Sequence, residues 1–224
     1  MTQKILVSAL VAGAVAGFLA ALLQFGFVIP LLLEGELYES GARVHFAEGF
    51  IESEAGAPPL GWDLGRHGLT VAFNLIAWIG FALILVALMA LGARRGIAIT
   101  PGTGALWGVM AFLAVHLAPA ASLPPELPGT TAAEVSSRYV WWAGTIITAA
   151  LALAALVFRP GLPAVIVAAV LILGPHIIGA PHLDRYFGVA APELAAQFVS
   201  RTLGVAALTW AILGAVAGWM WDRT

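Results

Sequence analysis

The chain has 224 residues, 61% of them hydrophobic and 10% charged, with a formal net charge of −2 and a mean hydropathy of +0.98. So little charge cannot solvate the exterior of a water-soluble domain of this length, which leaves lipid as the solvent for most of the chain. The absence of cysteine excludes disulfides, thiolate metal sites and Cys-based redox chemistry.

Only helices and closed barrels satisfy their backbone hydrogen bonds in hydrocarbon. The apolar runs here are about 20 residues or longer, as helices require, rather than the short alternating segments of a barrel. The expected fold is therefore all-α, a polytopic integral membrane helix bundle of about six transmembrane helices in a single domain over residues 1–224.

The first span is expected at residues 5–33. It follows Lys4 but is too long for a signal-peptide core and lacks a cleavage site, so it reads as a retained span that tilts or protrudes. It contains the string Gly13-Ala-Val-Ala-Gly17, which recurs as Gly214 to Gly218 in the last span. Small residues at that spacing let helix backbones approach closely, and the repeat suggests packing between first and last helices.

Residues 34–68 form the one long polar segment, with Pro58 and Pro59 as a breaker. If its first half continued as helix, Glu34, Tyr38, His45, Glu48 and Glu52 would share one face, a continuity that Gly41 opposes. His45 and Glu48, spaced i, i+3, are candidate metal ligands; a solvated helix face is the plainer reading.

The later spans are expected at residues 69–93, 103–121, 139–158, 162–180 and 198–221. The third and fifth spans are short and interrupted by proline, so strong hydropathy peaks alone would give five. Trp62, Trp141, Trp142, Trp219 and Trp221 fall near span ends, as an aromatic belt requires.

With six spans, Lys4, Arg94, Arg95, Arg159, Arg223 and Asp222 share one side. All five histidines, every other acidic residue and Arg43, Arg66, Arg138, Arg185 and Arg201 share the other. The basic residues divide equally, so loop length decides. The first set sits on very short connections, where the positive-inside rule applies best, which places both termini in the cytoplasm. The opposite, acidic face attracts cations.

His116 and His176 lie near the outer ends of spans, where ionisable groups are costly and tend to be functional or firmly hydrogen-bonded. Each has a proline nearby. Pro119 leaves the Val115 carbonyl without its usual donor and Pro175 does the same for Leu171, offering oxygens beside the imidazoles. An ordinary kink with a structural histidine is the competing explanation. His182, after Pro181, is expected on the aqueous side as a metal ligand or a plain surface residue. The stiff string Pro124-Pro125-Glu126-Leu127-Pro128-Gly129 holds Glu126 in a defined place, either aiming a carboxylate at the acidic vestibule or simply making an interfacial turn. Arg138, Trp141 and Trp142 open the fourth span, where interfacial anchoring explains them.

No P-loop sequence, His-Glu-x-x-His motif or clustered methionines appear, and nothing points to nucleic acid. An imidazole-plus-carboxylate set suits Co²⁺, Ni²⁺ or Zn²⁺ without choosing among them. The candidate ligands are His116, His176, His182, His45, Glu48, Glu36, Glu39 and Glu126.

Several strings together resemble the CbtA family of predicted cobalt transporter subunits. They are Glu36-Leu-Tyr38-Glu39, Trp107-Gly108 with Phe112, Pro124 to Gly129, Arg138 with Trp141 and Trp142, Pro175-His176-Ile-Ile-Gly179-Ala180-Pro181, and Phe198 with Trp210 and Gly214. Gly35, where the family usually has alanine, and Tyr139, where glutamine often follows the arginine, depart from it. The resemblance implies a multi-pass protein of the bacterial inner membrane. It also implies a role in cobalt supply for cobalamin beside a small single-span, histidine-bearing partner, CbtB. The family is often described with five spans, against the six favoured here by the separation of charge.

The leading expectation is a divalent-cation permease subunit, because few polar groups (Gln24, Asn74, Thr145 and Thr148) occupy the inner halves of the spans and no continuous hydrophilic path is visible. The alternative is a structural or assembly subunit of a larger membrane complex. An enzyme is not expected, since no nucleophile–base pair or complete catalytic metal motif stands out.

Overall fold

The structure, a computed structural model, describes residues 2–45, 53–185 and 187–223. Among them no strand forms, and the chain is built from helices: α1 (Thr2–Leu23), α2 (Ile29–Glu39), α3 (Leu64–Arg94), α4 (Pro101–Phe112), α5 (Ala118–Ala120), α6 (Val135–Phe158), α7 (Leu162–Ile178) and α8 (Pro192–Arg223). Two π-helical turns, Gln24–Val28 and Leu113–Leu117, join α1 to α2 and α4 to α5. Five helical stretches are long and apolar enough to cross a membrane: Thr2–Glu39, Leu64–Arg94, Pro101–Ala120, Val135–Phe158 and Pro192–Arg223. The remaining expected span, the fifth, corresponds to α7, which has 17 residues. At about 1.5 Å per residue it is roughly 25 Å long, slightly less than the roughly 30 Å of hydrocarbon.

Each π turn ends two residues before a proline, Pro30 or Pro119. A proline ring has no N–H to donate and clashes with the carbonyl four residues earlier, here Gly26 or Val115; widening the preceding turn relieves that clash. The helical continuation past the first span stops sooner than its periodicity allowed. Helix α2 ends at Glu39, Gly41 takes φ +75°, and His45 lies in a bend rather than on a helical face with Glu34 and Tyr38. Glu48 and Glu52 lie outside the described residues.

Internal contacts separate two units. One comprises Met1–Phe27, Leu60–Phe112 and Gly204–Thr224, and the other Val28–Pro59 and Leu113–Leu203. In the first unit the glycine strings do pack helices, but not onto each other. A Cβ on Gly13 or Gly17 would strike the α3 backbone at Ile79 or Leu75, the latter at 2.8 Å. Gly214 and Gly218 instead press on Gly104 and Thr100, and Gly108 presses on the Trp210 carbonyl, so α4 and α8 meet backbone to backbone. First and last helices touch elsewhere, where the Lys4 ammonium sits 4.9 Å over the Trp221 ring. Trp78 and Trp210 pack edge to face at 5.4 Å, and Val86, Met89 and Leu213 of the same unit are buried. Gln24 and Asn74 exchange two hydrogen bonds of 3.1 Å, closing both amides between α1 and α3.

The second unit packs Leu31, Tyr38, Leu127, Leu194 and Phe198 into one buried cluster. Glu34 is buried with it, and its Oε1 accepts from Arg43 Nη1 at 2.9 Å and from the Gly56 amide at 2.8 Å. That buried carboxylate therefore ties the polar segment back onto α2, because an unpaired charge there would be strongly destabilising.

Candidate functional site

The second unit contains an open cleft of about 720 Å³ formed by the end of α7, the start of α6, the start of α8 and two loops. Its walls follow from the proline-rich sequence. Pro119 is buried, and its carbonyl accepts from the Ser122 and Leu123 amides at 3.1 and 2.8 Å, closing α5 and presenting Ser122. Leu127 anchors the next loop in the hydrophobic cluster. Gly129 takes φ +77°, and a Cβ there would press on Val189 at 2.5 Å and on Glu39 at 3.3 Å, so no larger residue fits. Beyond it, Thr130 bridges to Gly188, and Phe187's carbonyl accepts from the Thr131 amide and hydroxyl, each at 3.0 Å. The two loops are thus stapled into one rim.

His176 projects from the last turn of α7, one residue after the proline inside that helix. Its Nδ1 is hydrogen-bonded to Ser122 Oγ at 2.8 Å. The Trp141 ring stands edge-on to the imidazole at 5.7 Å, and Trp141 Nε1 donates to the Pro175 carbonyl at 3.0 Å. Hydroxyl, indole and helix end together fix the ring. His182, on the rim loop, donates from Nδ1 to the Leu183 carbonyl at 3.2 Å. A carbonyl can only accept, so the neutral ring carries its lone pair on Nε2. Both histidines therefore spend Nδ1 on the protein, the arrangement that metal-binding imidazoles use to fix orientation.

Glu126 also lines the cleft, as the stiff proline string suggested, and one of its carboxylate oxygens is paired there. Arg138 Nη2 donates to it at 2.7 Å. Arg138 and Trp141, expected as interfacial anchors, thus have specific partners. Arg185 is the second guanidinium on the cleft, with no ion pair or hydrogen bond among the described residues.

The structure brings His176, His182 and Glu126 to one cleft, whose lining does not include His116, His45, Glu36 or Glu39. His116 lies in the π turn packed on α6. It is not among the residues that line the cleft. Glu36 and Glu39 stay on the end of α2 and His45 in the bend beyond it, while Glu48 is outside the described residues. Among the described residues no three His, Asp or Glu side chains form a group able to hold an ion. Ser122 and Arg185 were not anticipated. Ser122 is 54 residues from its imidazole partner, and no local spacing announces such a contact.

The model of one protein family, described as probable cobalt transporter subunit (CbtA), matches residues 2–222. No curated protein and no solved structure matches the chain.

Proposed function

The chain belongs to the CbtA family of probable cobalt transporter subunits, and from that premise we propose that it receives a divalent cation, cobalt first, at an extracytoplasmic cleft. The observation that carries this reading is the pair of imidazoles, His176 and His182, on one cleft with Nδ1 occupied by protein partners. Nitrogen donors of this kind suit borderline divalent ions. The acidic, histidine-bearing segment with Glu36, Glu39, His45 and Glu48 concentrates cations on the same face, His116 serves as a ligand deeper in its span, and Glu126 is held at the rim. Both termini lie in the cytoplasm and the protein sits in the bacterial inner membrane.

The polar groups deeper in the spans argue for a subunit rather than a lone permease. Gln24 and Asn74 satisfy each other, and Thr145 and Thr148 donate to carbonyls of their own helix at 2.9 and 3.1 Å. A small single-span, histidine-bearing partner of the CbtB kind completes the path. The Ser122–His176 contact does not favour acyl-transfer chemistry. Among the described residues no carboxylate engages the second ring nitrogen, as a triad requires, so the pair suits orienting a ligand.

Labelled cobalt uptake into proteoliposomes tests the proposal. Uptake is expected when the chain is reconstituted with the partner, and His176→Ala should abolish it. If cobalt enters in no combination, the transport reading fails and an assembly subunit of a larger membrane complex takes its place.

A further inference from the structure

The lining of the cleft disagrees with a bare cation as its occupant. Among the described lining residues the one carboxylate, Glu126, is paired with Arg138, and Arg185 adds a second guanidinium with no ion pair among the described residues. Asp184, next to Arg185 in sequence, and the described acidic residues of the polar segment, Glu34, Glu36, Glu39, Glu54 and Asp63, are not among the lining residues. The formal charge of the described lining residues is thus positive, and a hexaaqua dication entering the cleft meets like charge there. The donor count is also short: His176 and His182 offer two ring nitrogens, and no third His, Asp or Glu joins them in an ion-holding group among the described residues.

Size points the same way. An ion's six waters occupy about 180 Å³ at about 30 Å³ each. The cleft measures about 720 Å³, well inside the roughly 300–1,000 Å³ of small-molecule sites. A guanidinium is the group best matched to a carboxylate, which it can bind through two parallel hydrogen bonds.

We infer that the cleft receives the cation already bound to a small polycarboxylate, with the imidazoles of His176 and His182 facing the metal and Arg185 engaging a carboxylate of the chelate. This inference rests on the proposed cobalt-receiving function and specifies the form in which the cargo arrives. The chelate supplies the oxygen donors that the protein lacks, and its negative charge turns the guanidinium from an obstacle into a recognition group.

The test is calorimetric titration of the full chain in lipid nanodiscs with Co²⁺ alone, with citrate alone and with a one-to-one mixture of the two. The mixture is expected to bind about ten-fold or more tighter than either component, as a charge-assisted contact allows. Arg185→Gln, at an exposed position, should erase that preference while leaving the affinity for aqueous Co²⁺ unchanged or higher. Binding of Co²⁺ alone as tight as that of the mixture would overturn the inference, and so would a preference that survives in Arg185→Gln. Equal binding of citrate without metal would also overturn it. Cobalt bound in neither form would overturn it together with the function on which it rests.

Discussion

A hydroxyl holding an imidazole is a small feature, but at His176 it decides which nitrogen faces the cleft. Ser122 contributes a 2.8 Å hydrogen bond to Nδ1, the kind of outer contact whose loss typically costs about 10–100-fold in metal affinity. Ser122→Ala should therefore weaken cobalt binding by at least about ten-fold. Ser122→Thr, which keeps the hydroxyl, should bind nearly as the parent does, with metal titration monitored by Co²⁺ visible absorption as the measurement. Equal loss in both variants would point to packing instead. The histidine itself was legible in the chain, since an ionisable ring beside a proline near a span end calls for a partner. The partner was not legible, because nothing local links a residue of the turn after α5 with one in the last turn of α7, 54 residues away. Glu126 illustrates the converse. Its rigid placement could be read from three prolines, but its neutralisation by Arg138 could not, because the ion pair depends on where the loop crosses the start of α6.

Helices and their joints were more readable. Five of the expected spans recur as helices long and apolar enough to cross a membrane, because runs of apolar residues without internal partners leave the backbone no alternative in lipid. The ends moved outward where local chemistry allowed it: Asp63 caps α3 by accepting the Arg66 amide at 2.9 Å, and α2 runs on to Glu39 before Gly41 turns. The pairing of glycine strings was not readable, since a GxxxG pair declares that some backbone comes close but not which one. At α4 and α8 the approach leaves no room for a methyl group. Gly108→Ala should force the two helices apart at the Trp210 carbonyl and lower stability by about 1–3 kcal/mol, as overpacking does, seen as a reduced thermal midpoint in detergent. Gly144→Ala, where nothing lies within 4 Å, is the control and should leave the midpoint unmoved. The Gln24–Asn74 pair makes a sharper prediction. Either Gln24→Leu or Asn74→Leu strands one amide between α1 and α3 and should cost about 1–3 kcal/mol. The double variant strands neither and should recover part of that loss in a thermal double-mutant cycle.

At the scale of the whole chain, composition alone excluded a soluble protein, and the family match over residues 2–222 agrees with a membrane transporter subunit. The segregation of acids and histidines led to the expectation of a cation-attracting face, but it could not show that the one carboxylate among the cleft's described lining residues would be paired with an arginine. Long-range charge and short-range chemistry are separate properties here: the first follows from counting residues per loop, the second from which loops are stapled together. The stapling of the rim through Thr130, Thr131, Phe187 and Gly188 rests mainly on backbone groups, which carry no sequence signature, with the Thr131 hydroxyl added.

The edge-on contact of Trp141 with His176 gives the molecule an internal optical probe. An open-shell cobalt ion seated on that imidazole would lie close enough to the indole to quench its emission, while diamagnetic Zn²⁺ at the same position would leave the emission largely intact. Comparing the parent with Trp141→Phe during titration should isolate that signal from the other tryptophans. A fluorescence decrease specific to Co²⁺ and missing from Trp141→Phe would report occupancy of His176 directly, without following movement across the bilayer.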